Sequence, residues 1–133
     1  MVCIYCGGST RVTNSRLQKR NNAVWRRREC EQCRGIFTTL ESADLTTAIR
    51  VKHGRALEPF VRDILLISVY EACKHRPKAL EDATSLTQTI TGDIMKQISP
   101  EGVVERNRIA ELTHAVLERF DTVAATVYMA YHK

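Results

Sequence analysis

The chain has 133 residues, with 20 Lys plus Arg against 15 Asp plus Glu, five cysteines and 44% hydrophobic residues. That length holds one ordinary domain, or a very small one joined to a modest one, and 26% charged residues without a low-complexity tract exclude wholesale disorder. The longest apolar runs, such as Ile64-Leu65-Leu66-Ile67, fall far short of the roughly 20 residues a membrane span needs. Because no secretory signal pattern is visible at Met1-Val2-Cys3, a cytoplasmic location and no membrane partner are expected.

Charge is unevenly spread. Residues 1–40 hold eight basic side chains (Arg11, Arg16, Lys19, Arg20, Arg26, Arg27, Arg28, Arg34) against Glu29 and Glu31, a net of 8 − 2 = +6. The remainder carries 12 basic and 13 acidic groups, and with them all the aliphatic periodicity. The pattern predicts a small basic module over residues 1–45 followed by a helical domain over 46–133, so the fold class is α+β.

Four cysteines form two pairs, Cys3-Ile4-Tyr5-Cys6 and Cys30-Glu31-Gln32-Cys33. A C-x-x-C turn aims both sulfurs at one point, and two such turns supply the four thiolates that tetrahedral Zn²⁺ takes. A forty-residue segment with so few large apolar groups cannot bury enough surface to fold alone, so the metal's binding energy would be folding energy. A reducing compartment disfavours disulfides, and a redox site would need only one pair. Iron or an iron–sulfur cluster stays open as the other occupant of four thiolates. The expected module is a zinc ribbon, a small β structure.

Between the pairs, Thr10–Asn14 and Ala23–Arg27 alternate as strands joined by a turn at Lys19-Arg20-Asn21-Asn22, and Ile36–Leu40 makes a third. Alternation puts Arg26 and Arg28 on one face and Arg27 on the other. Lys and Arg neutralise phosphates, and Arg holds a guanine edge bidentately, so nucleic-acid binding is the functional reading. Trp25 could stack on a base, but it is expected in the small core with Phe37.

Further on, β-branched residues from Thr46 to Val51 predict a strand that turns at His53-Gly54-Arg55 and returns over Leu57–Phe60. Pro59 is expected to open a helix that ends before Pro77. A second helix is predicted over about 80–98, broken by Ser99-Pro100-Glu101-Gly102, and a third from about Asn107, with Ile109, Leu112, Val116, Leu117 and Phe120 on one stripe. Asp121 or Thr122 can cap a fourth. The architecture is therefore a β-hairpin with a four-helix cluster. His53, His75, His114 and His132 are scattered, Cys73 reads as a buried structural thiol, and no catalytic motif is present, so no enzyme is expected.

The succession Cys3-x-x-Cys6, Asn14-Ser15-Arg16, Trp25-Arg26-Arg27-Arg28-Glu29-Cys30-x-x-Cys33, Phe37-Thr38-Thr39-x-Glu41, Val51-Lys52, Glu58-Pro59-Phe60 and His75-Arg76-Pro77 closely resembles the NrdR family. Those are bacterial transcriptional repressors of ribonucleotide reductase genes, with a zinc ribbon and an ATP-cone. The resemblance implies a zinc-dependent, nucleoid-associated repressor that binds a double-stranded DNA operator and whose homo-oligomeric state responds to ATP and dATP. It carries the DNA-contacting positions onto Arg11, Ser15, Arg16, Arg26, Arg27 and Arg28, and the nucleotide contacts onto Val51, Lys52, His53 and Glu58. The chain departs from the family's pattern at Asn14, Trp25 and His53, and has Ile64 where the family places a phosphate-facing lysine, leaving Arg62 or Arg55 to substitute. The alternatives are a zinc-ribbon protein-interaction adaptor, or a DNA-binding protein whose cone no longer senses nucleotide.

Overall fold

A computed structural model describes residues 1–132. They divide into two compact units, one spanning Met1–Ala43 and one beginning at Asp44.

The first unit is an antiparallel sheet of β1 (Thr10–Gln18), β2 (Ala23–Cys30) and β3 (Ile36–Glu41), with β2 in the centre. Asn22 closes the β1–β2 turn at φ 48°, a left-handed conformation that asparagine tolerates better than most residues. Val12 pairs with Arg28 and Asn14 with Arg27, so Thr13 is an extra residue that bulges from β1. The buried cluster is only Cys3, Cys30 and Phe37. Trp25 lies outside it and half-buried, contrary to expectation: its register partners are Arg16 and Leu40, one residue out of phase with the Phe37 and Cys30 face.

The second unit opens with α1 (Leu45–Ala48), where a strand was expected. The Asp44 carboxylate accepts from the Thr46 amide at 3.1 Å, and this cap overrides the β preference of Thr46 and Thr47. The strand is confined to β4 (Arg50–His53), which turns through Gly54 into β5 (Ala56–Pro59). Pro59 thus ends a strand and opens no helix; β5 is an edge strand, where a missing N–H is tolerated. Three long helices and a shorter one follow, α2 (Arg62–Cys73), α3 (Ala79–Met95), α4 (Arg106–Phe120) and α5 (Thr122–Tyr131).

Between α3 and α4 lies an unforeseen strand, β6 (Val103–Glu105), parallel to β4, giving a sheet ordered β5-β4-β6. Gly102 makes the approach possible. It sits at φ 77°, its carbonyl accepts from the Arg50 amide at 2.8 Å, and a Cβ there would collide with the Ala48 carbonyl oxygen. Side chains from the sheet and all four longer helices fill one core, including Ile49, Val69, Ile90, Ile94 and Leu117, each fully buried. Cys73 is buried there as expected, and burial raises its thiol pKa. No described helix is long and apolar enough to cross a membrane.

One ionic cluster ties the helix junctions together. Arg76 donates to Asp82 at 2.7 Å and to Asp121 at 2.8 Å, with its guanidinium 4.4 Å from the Phe120 ring centroid. His75 Nε2 is 2.9 Å from the same Asp121 carboxylate, whose other oxygen caps α5 through the Val123 and Ala124 amides. The helix reading at Asp121 holds, and the His75-Arg76-Pro77 motif acquires a structural reason.

Candidate functional site

The four paired cysteines converge, with all four sulfurs within 4.8 Å of one another. Cys3 Sγ lies 3.7 Å from Cys33 Sγ and Cys6 Sγ 3.5 Å from Cys30 Sγ. Four thiolates on one Zn²⁺ stand about 3.8 Å apart, because zinc–sulfur bonds are about 2.3 Å and tetrahedral. The cluster fits. Each pair sits in a turn whose amides point at sulfur: Tyr5 N–H to Cys3, Gly8 to Cys6, Gln32 and Cys33 to Cys30, Gly35 to Cys33. Such donors stabilise thiolate over thiol. The Cys33 amide is the largest influence on Cys30 and, with the Gln32 amide and the thiols of Cys6 and Cys33, brings it down to about 6. At Cys33 the Gly35 amide pulls down, but Cys6, burial, Cys3 and Cys30 push it up to about 12. Four sulfurs this close cannot all ionise unaided, and a divalent cation supplies the charge that lets them.

The glycines beside the pairs are packed, not merely permissive. A Cβ at Gly8 would press on Gln32 and Cys30, and one at Gly35 on the Tyr5 ring and Cys33. Tyr5 in turn stands edge-on to Phe37 at 6.2 Å. The turns are thereby locked against β3.

The basic residues divide by sheet face. Cys30, Arg28 and Arg26 share one face of β2 with Phe37 and Thr39 of β3 and with Ser15 of β1. Arg11, Asn14, Arg16, Trp25 and Arg27 lie on the other. On the first face Arg26 donates to Glu41 at 2.6 Å, and Arg28 to Thr39 and Thr10 at 3.4 Å each. On the second, Arg11 pairs with Glu29 at 3.2 Å, while Arg16 and Arg27 are exposed and their guanidinium groups make no hydrogen bond or ion pair among the described residues. The six expected DNA-contacting residues therefore do not form one surface.

In the second unit a cavity of about 490 Å³ opens between β4, β5 and the starts of α2 and α4. Three of the four expected nucleotide contacts, Val51, His53 and Glu58, line it. Lys52 does not: strand alternation turns it to the opposite face, where its ammonium is 3.6 Å from Glu105. Ile64 also lines the cavity, whereas Arg55 and Arg62, the expected substitutes for its missing charge, are not among the lining residues. The only lysine or arginine among the described lining residues is Arg106, the first residue of α4, with its Nη1 3.3 Å from His53 Nδ1. Sequence reasoning missed it because 53 residues separate it from His53. Deeper in, Tyr128 stacks on His132 with ring centroids 4.1 Å apart. Burial first, and then the Arg106 charge, lowers the His132 pKa.

Comparison with known proteins places these features in a family context. Residues 1–41 match the family model described as "Transcriptional repressor NrdR-like, N-terminal domain". Over 136 residues, 98% of this chain and 88% of the relative, the sequence is 37% identical to the transcriptional repressor NrdR of Heliobacterium modesticaldum. It is 38% identical to that of Symbiobacterium thermophilum, covering 98% and 89% of the two chains, and 32% identical to that of Kosmotoga olearia, covering 100% and 84%.

Proposed function

The chain belongs to the NrdR family of transcriptional repressors, regulators and not enzymes, and from that premise we propose that it is a zinc-dependent DNA-binding repressor of ribonucleotide reductase genes whose assembly responds to ATP and dATP. The tetrathiolate cluster supports the first half of this reading. Zinc would hold Cys3, Cys6, Cys30 and Cys33, supplying the charge that fixes the ribbon, and the ribbon would present its arginines to duplex DNA. A single module of this size buries only roughly 600–1,000 Å² on DNA, too little for strong sequence specificity, so it acts with further copies on paired half-sites.

The cavity carries the second half. Its volume is within the range of small-molecule sites, and among the described residues it combines an apolar wall (Val51, Phe60, Leu65, Ile109) with the Arg106 cation. A nucleoside triphosphate needs both. The wall receives the base, and Arg106 replaces the positive charge missing at Ile64. Ligand binding then shifts the balance between assemblies by its differential affinity for them, and so changes which ribbons reach DNA together.

Calorimetric titration of the zinc-loaded protein with ATP and dATP tests this. Saturable binding is expected, weakened roughly 10-fold or more in Arg106→Ala, since a charge-assisted hydrogen bond contributes about 1.5–3 kcal/mol. No binding by the parent protein would leave a zinc-ribbon DNA-binding protein without a nucleotide input.

A further inference from the structure

The two faces of the ribbon sheet are chemically unequal, and the inequality selects one of them for DNA. We propose that the DNA phosphates are taken by the face bearing Arg16 and Arg27, extended onto the second cysteine turn by Arg34, whereas Arg26 and Arg28 hold the sheet together. This rests on the DNA-binding reading above and assigns its surface.

Three observations carry it. On the Arg26 and Arg28 side the guanidiniums are half-buried and already engaged, Arg26 with Glu41 and Arg28 bridging β1 and β3 through Thr10 and Thr39. Turning either to a phosphate would break a cross-strand bond. On the other side Arg16, opposite Trp25, and Arg27, opposite Asn14, stand in pairing rows two apart, which makes them neighbours on that face, and both are exposed. Those rows therefore offer two free cations, an amide and an indole face within one or two strand spacings, the mixture that phosphate, sugar and base contacts require.

The third observation is Arg34. It adopts φ 62°, a left-handed conformation that glycine takes freely and an arginine does not. Packing does not explain an arginine here, since its side chain is 70% exposed. Its one side-chain partner among the described residues, Glu29 at 3.4 Å, is shared with Arg11 on the same face, so two guanidiniums answer to a single carboxylate. A strained residue that gains little inside its own chain is accounted for by a partner outside it. Reaching Glu29 also places the Arg34 guanidinium on the Arg16 and Arg27 side of the sheet.

The test is the salt dependence of duplex DNA binding by the zinc-loaded full chain, followed by fluorescence anisotropy on a labelled mixed-sequence duplex. Each lost phosphate contact lowers the slope of log K against log salt by about 1. R16Q, R27Q and R34Q are each expected to lower it by about that much while keeping zinc content and thermal midpoint; R26Q is expected to keep the slope and lower the midpoint. Every one of these variants removes one positive charge, so net charge cannot produce the difference. A fall in slope for R26Q with none for R16Q and R27Q would overturn the assignment, and an unchanged slope in R34Q would remove the cysteine turn from the surface. Absence of salt-dependent binding by the parent protein would overturn the DNA reading itself, a result distinct from either.

Discussion

At the scale of single residues, the metal cluster sets the firmest expectations. Its sulfurs must shed protons to bind zinc, and with Cys33 pushed up to about 12 in the absence of a cation, metal uptake releases protons. Apparent zinc affinity should therefore fall as pH falls, most steeply as the thiolates protonate, and a competition titration with a chromophoric chelator between pH 6 and 8 measures it. Affinity independent of pH would contradict a thiolate site. Arg34 gives a second prediction of opposite sign to its role on DNA. Replacing it with glycine removes the left-handed strain, roughly 1–2 kcal/mol, so Arg34→Gly should raise the thermal midpoint of the zinc-loaded ribbon while weakening DNA binding. The cysteine pairs were legible in the sequence because their spacing alone dictates the chemistry. Arg106 was not, because nothing local in Glu105-Arg106-Asn107 marks it as facing His53; only the fold brings them together.

At the scale of elements, Asp121 joins the α2–α3 turn to the start of α5 through His75 and Arg76. His75 is the largest influence on Asp121 and Arg76 the next, and together they hold its carboxyl well below the usual carboxylate range. A carboxylate with a depressed folded-state pKa stabilises fully above its unfolded pKa, about 3.9, and loses that contribution as pH falls below it toward the folded value. The second unit should accordingly lose stability below about pH 4, and Asp121→Asn should be less stable at pH 7 yet lose less on acidification, as circular dichroism melts across pH would show. In the adjoining core, Leu117→Ala should cost about 2–5 kcal/mol, since the side chain is fully buried and its neighbours close only partly over the space; denaturant unfolding measures this. Long periodic helices were readable from their stripes, with ends displaced by a few residues. The short elements were not. Thr46 and Thr47 look like a strand until the Asp44 cap is seen, and three residues of β6 carry no period that a sequence could display.

For the whole molecule, a ribbon whose four cysteines fit a zinc ion and a unit with its own cavity make two separately addressable parts. Chelation should therefore abolish DNA binding while the second unit keeps its helical signal and its nucleotide affinity. The division into a basic N-terminal part and a helical remainder was visible in the charge distribution. The partition of arginines between sheet faces was only half visible: alternation separates Arg27 from Arg26 and Arg28, but the Thr13 bulge resets β1 and decides which of its residues join each side. Coupling between the parts is the central claim, and duplex DNA affinity of the zinc-loaded protein with no nucleotide, with ATP and with dATP, at fixed salt and with mass followed by light scattering, tests it most directly. Affinity and assembly mass that change together between nucleotide conditions are the predicted result; identical affinity and mass under all three, with nucleotide bound, would contradict it.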